Sequence, residues 1–227
     1  MINQSIGKRT RANRSPQAVP TLVKFQLEDI IKHYKDSYSV IYNQLSALQS
    51  SGTLDESQEF VLRSILVYSS SIMDFYFHEL GKVFYLKMII GDIKESNDFK
   101  KMELPLEDIR EALSKQDPNE WFIKSIVRTM HKSVFQSSEQ IKGLLKSIDI
   151  SVNEICNNSI GGLKGWNVIK EKLDEIYRIR NQIAHQADRS HSNADYYEID
   201  LDDIKKKVEF CHQFVQDIHQ FVSKKIS

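Results

Sequence analysis

The sequence predicts an all-α fold: a helical bundle with two long N-terminal helices and additional short helices before the last two long ones. Three observations carry this expectation. Apolar residues recur at three- and four-residue spacing through 21 to 48, 57 to 90, 166 to 184 and 204 to 222. No alternating segment is long enough to propose a strand, and no internal repeat is present. Clusters of Gly, Ser, Asn and Pro fall between the apolar stripes, where the chain has to turn.

With 227 residues the chain is long enough to bury a substantial core. Its 31 basic and 31 acidic side chains give a formal net charge of zero. A global positive field of the kind a dedicated double-strand binder carries is therefore excluded, and any contact with nucleic acid has to be local. Cys156 and Cys211 are isolated, without a CxxC pair, and read as reduced structural thiols. No stretch resembles a signal peptide, and the apolar runs are too short and too interrupted by charge to span a bilayer. The expected location is the cytoplasm.

Residues 1 to 19 carry Lys8, Arg9, Arg11 and Arg14 with no acidic residue, and Pro16 lies near their end. They read as a flexible basic arm: a solubilising tail, an aid to RNA phosphate binding or a strap that docks a partner. Residues 20 to 227 form the helical domain. Val23, Leu27, Ile30, Tyr34, Tyr38, Ile41, Leu45 and Leu48 make the stripe of a long amphipathic helix that ends at Ser50-Ser51-Gly52-Thr53.

The next helix, about 57 to 90, is apolar nearly all round, with Tyr68 and Phe75 among its large residues, and is expected at the centre of the bundle. Its Ser69-Ser70-Ser71 patch offers another helix a close approach. Asp74 then sits among large apolar neighbours, where a carboxylate needs a donor. In the middle of the chain, Pro105 opens a short helix to Leu113. Asp117-Pro118 opens another that carries Trp121, Phe122, Ile126 and Met130 inward. Ser137 with Gln140 reads as a capping box for a helix to about Ile148. Asp200 and Asp203 suit the first turn of a final helix that closes the bundle against the first two.

The most informative stretch is Trp166 to Asp188. Its apolar stripe runs through Trp166, Ile169, Leu173, Ile176 and Ile183, and the spacing puts Arg180 where another Ile or Leu is expected. An arginine there needs a carboxylate, a solvent cleft or an anion to receive it. Asn181 and His185 stand four apart, so their side chains can meet. Arg180 and His185 are separated by about 140° net of helical rotation, flanking one groove. A capping role for either residue accounts for the spacing equally well.

The segment Arg180-Asn181-Gln182-Ile183-Ala184-His185 resembles the R-x4-H signature of the HEPN superfamily, all-α proteins of which many are metal-independent ribonucleases. Four stretches in order resemble the RiboL-PSP-HEPN branch: Val61 to Ser64 leading into Met73 to Leu80; Ser133 to Ile141; Trp166 to Tyr177; and RNQIAH followed by a polar loop and a helix beginning near Ile199. The resemblance covers roughly residues 56 to 222. In one departure, Asp74 stands where the family commonly has Glu.

The resemblance implies a catalytic set of Arg180, Asn181, His185 and Asp74. In that set His185 moves the proton, Arg180 holds the scissile phosphate, Asn181 positions the imidazole or the phosphate, and Asp74 fixes Arg180 or orients His185. It also implies an RNA substrate, a homodimer with a composite cleft, and a cognate antitoxin or defence-system protein as a possible partner. No cofactor is implied. His78 and Glu79 suggest a metal site only if joined by His185, and no second ligand pair accompanies them. The rival expectations are a HEPN module that binds RNA or a protein partner without cleavage, and an assembly scaffold without nucleic acid.

Overall fold

The computed structural model describes residues 25–114, 118–157 and 165–226. The basic arm expected at 1 to 19 lies outside the described residues. Among those described, the elements are α1 Leu27–Ser50, α2 Glu56–Ile89, a 3-10 turn Phe99–Lys101, α3 Leu106–Leu113, α4 Pro118–Met130, α5 Ser138–Ser147, α6 Val152–Asn157, α7 Trp166–Gln186 and α8 Leu201–Ile226. The fold is all-α, as the stripes predict, and its only strand-like pairing among the described residues is an isolated bridge between Arg189 and Tyr196.

Local chemistry sets the helix ends. Asp55 caps α2, accepting from the Gln58 N–H while the Gln58 side chain returns to the Asp55 N–H. Ser137 and Gln140 form the same reciprocal pair at α5, as the sequence predicts. Asp200 accepts from the Asp203 N–H at the start of α8. Such caps supply acceptors to N–H groups that the first turn of a helix leaves without partners.

Helix α2 is the centre, packing against α1, α4, α5, α7 and α8. Leu62, Leu66, Tyr76, Phe77 and Leu80 are fully buried on it. Helix α8 crosses the serine patch, where buried Cys211 lies against Ser69 and burial pushes its thiol up to about 12. Gly81 lets α4 and α5 close on α2, since a Cβ there would stand 2.5 Å from the Met130 terminal methyl and 2.9 Å from a Leu144 methyl. Three sequence expectations need correction. Tyr68 and Phe75 are 47% and 40% exposed, because even a central helix keeps one face free of neighbours, and Phe122 is 38% exposed beside buried Trp121. The short helix α6 leaves no signal in the sequence, since six residues carry too little periodicity to show.

Candidate active site at the end of helix α7

Ile169, Leu173 and Ile176 anchor α7 in the core, and Trp166 and Ile183 are half-buried on the same stripe. Near its middle Asp174 accepts from both the backbone N–H and the hydroxyl of Ser138, at 3.0 and 2.9 Å, which ties α7 to the start of α5. The helix is therefore fixed along most of its length before it reaches Arg180.

Arg180 is half-buried. One terminal nitrogen donates to Asn181 Oδ1 at 2.9 Å, and its Nε is buried with no partner. Among the described residues no carboxylate is paired with this guanidinium. A buried donor without an acceptor carries a desolvation cost that an incoming anion relieves. Asn181 thus meets Arg180, its immediate neighbour, and orients the guanidinium. His185 lies one turn further on, exposed, with no hydrogen-bond partner among the described residues. An imidazole so placed is accessible to a ligand and to solvent.

Asp74 does not join them. It accepts a hydrogen bond from the Phe135 backbone N–H and lies 3.7 Å from His78 Nε2, so the donor that its apolar surroundings demand comes from the loop before α5. The expected contact of Asp74 with Arg180 or His185 is not formed in this chain. The shorter carboxylate is satisfied locally. Burial lowers the His78 pKa, with Lys82 and His131 acting in the same direction, while Asp74 and a bond to the Ser133 backbone oppose it. No group of three or more His, Cys, Asp or Glu among the described residues is arranged to hold a metal ion.

The structure adds residues that the sequence did not single out for the site. Arg63 on α2 is buried at 6% exposure and donates Nε to Asp188 Oδ2 at 2.7 Å, one terminal nitrogen to Glu59 at 3.1 Å and the other to the Tyr197 carbonyl at 2.8 Å. Gln182 reaches the second Asp188 oxygen at 3.2 Å. Beside this cluster an apolar groove of about 760 Å³ opens between α2 and the end of α7, walled by Phe60, Val67, Tyr68, Ile183 and Tyr196. The Tyr196 ring faces two guanidiniums, Arg189 at 3.8 Å and Arg63 at 5.0 Å. His191, in the same loop, is exposed.

No helix among the described residues is long and apolar enough to cross a membrane. Compared with known proteins, residues 26–224 match the model of a family described as RiboL-PSP-HEPN. Comparison with the curated proteins and with the solved structures gave no match.

Proposed function

The chain belongs to the RiboL-PSP-HEPN family, and from that premise we propose that it is a metal-independent endoribonuclease. One observation supports the reading above the others: Arg180 presents a guanidinium fixed by Asn181, with a buried unpartnered Nε, one turn before an exposed His185. This is a phosphate donor set beside an accessible imidazole, a side chain suited to general acid-base work.

The ribose 2'-oxygen attacks the adjacent phosphorus, forming the P–O2' bond as the P–O5' bond breaks. His185 takes the proton from the 2'-hydroxyl, and a second imidazole, from another copy of the chain across a composite cleft, gives one to the departing 5'-oxygen. Arg180 compensates charge on the equatorial oxygens, where a preorganised donor counts most. The products are a 2',3'-cyclic phosphate and a 5'-hydroxyl end. Because the nucleophile belongs to the substrate, RNA is cleaved and DNA is not. An activity of this kind suits a toxin or phage-defence effector held in check by a cognate antitoxin.

The test is incubation of the purified protein with mixed RNAs in excess chelator, followed by analysis of product ends. Cyclic phosphate ends that survive the chelator are the expected result. Intact RNA, bound but uncut, supports the second reading, a non-catalytic RNA- or partner-binding HEPN module. The apolar groove beside the site is the observation that favours that second reading.

A further inference from the structure

The cluster around Arg63 has a form that simple burial does not require. Immediately after α7 the backbone makes two consecutive left-handed residues, Ala187 at φ 51° and Asp188 at φ 56°. Neither is glycine. Each costs conformational energy that the surroundings have to compensate. Helix ends of this shape usually carry Gly at the first of the two positions, so here the turn is held from outside.

The hold is specific. Asp188 is 4% exposed, and its two carboxylate oxygens are taken by Arg63 Nε and by the Gln182 amide. Its backbone N–H donates to the Gln182 carbonyl, and its own carbonyl accepts from Tyr197. Arg63 in turn bonds the Tyr197 carbonyl, so one guanidinium on α2 grips both strands of the loop that leaves α7. Gln182 and Asp188 bracket His185, each three residues away in sequence. The exposed imidazole therefore lies between two residues tied to a buried ion pair that makes no hydrogen bond to Arg180.

We propose that Arg63 and Asp188 form a clasp that positions His185 relative to Arg180, and that this clasp sets the rate of the proton transfer at the site. Both are positioning residues, acting through the last turn of α7. The proposal rests on the ribonuclease reading for its effect on rate, though not for its effect on His185. A lysine at 63 supplies charge without the fork that reaches three acceptors. An asparagine at 188 tolerates the left-handed backbone and keeps one acceptor while losing the charge.

The experiment compares the wild-type protein, Arg63→Lys, Asp188→Asn and Ser125→Ala. The last breaks a buried hydrogen bond to Asp108 between α3 and α4 and serves as a comparison for a general loss of stability. Amide hydrogen exchange across residues 180 to 190 is measured beside kcat and KM for RNA cleavage, all at a temperature where circular dichroism shows every variant folded. The expected result is faster exchange confined to this segment in both clasp variants. With it, kcat falls about tenfold or more for Arg63→Lys, in the range lost when an acid or base is mispositioned, at KM within about twofold. Asp188→Asn falls less, and Ser125→Ala changes neither reading. Unchanged exchange in this segment in the folded clasp variants overturns the clasp. Changed exchange with an unchanged kcat overturns its role in rate. If the wild-type protein cleaves no RNA in chelator, the ribonuclease reading and the rate effect fall together, and exchange alone decides whether the clasp positions His185.

Discussion

At the scale of single residues, the roles proposed for Arg180 and His185 are separable, because one sits half-buried on the apolar stripe and the other stands in solvent. Removing an exposed imidazole opens no cavity. His185→Ala is expected to keep the melting temperature of the parent while cleavage falls about 10²- to 10⁴-fold, the usual loss for a positioned acid or base. Arg180→Ala is expected to lose cleavage together with part of the RNA affinity, and Arg180→Lys to recover little, since a point charge does not reproduce the planar fork. Titration of RNA binding beside initial rates checks all three, and undiminished cleavage by folded His185→Ala would reject the mechanism. These two residues were legible in the sequence because their signal is local: an arginine interrupting an apolar stripe, and a histidine at a fixed spacing after it. Arg63 was not legible as part of the site. Its partner is 125 positions away, and nothing in either neighbourhood marks the pairing. Asp74 shows the same limit from the other side, since its need for a donor was readable and the identity of that donor, the Phe135 N–H, was not.

At the scale of elements, the loop between α4 and α5 depends on Asp74. Asp74→Ala removes the acceptor of the Phe135 N–H and the carboxylate beside His78, and is expected to cost about 1–3 kcal/mol, the penalty for a donor left without its partner. Urea denaturation measures the loss, and cleavage per folded molecule should stay near that of the parent. Inactivation without destabilisation would return Asp74 to the catalytic set. Helix α8 carries a second dependence, on pH. His212 stacks on Tyr38 at 3.6 Å and lies near Tyr34, while His219 reaches the Tyr76 hydroxyl at 3.3 Å. Burial first, and Lys35 second, lower both pKa values from 6.5, with Glu28 opposing the shift at His219. A base whose folded pKa is depressed binds more protons when unfolded, so its contribution to stability is present above about pH 6.5 and is lost as pH falls through the lower folded value. The urea midpoint should drop between pH 7.5 and 5.5, and drop less in His212→Gln. An equal drop in that variant would remove His212 from the account. The stripes of α1, α7 and α8 were plain in the sequence because each helix has one wet face. On α2 the nearly continuous apolar run concealed which side was free, and so the outward positions of Tyr68 and Phe75 could not be read.

At the scale of the whole molecule, the proposed RNA substrate would have to be gathered by local charge on a neutral chain, and residues 1 to 19 hold four of its cations with no acid among them. Deleting residues 2 to 15 is therefore expected to weaken RNA binding at low salt and to leave cleavage at saturating RNA unchanged, because counterion release falls away as salt rises. Loss of cleavage at saturation would place the arm in the site. Assembly is the further question at this scale, and the chemistry itself poses it. One protomer offers one exposed imidazole at the end of α7, whereas attack by the 2'-oxygen and departure of the 5'-oxygen call for a base and an acid together. In the proposed dimer, a second copy of α7 facing the first would supply both. Light scattering across micromolar concentrations should then give twice the chain mass, and cleavage per chain should fall on dilution below the dimer dissociation constant. Mixing inactive His185→Ala with wild-type protein under exchange should depress activity beyond simple dilution, because each mixed dimer holds a single imidazole. A monomer at all concentrations, with activity strictly proportional to wild-type chain, would show that one protomer serves both steps, through His185 alone or with His191 or solvent as the second proton carrier.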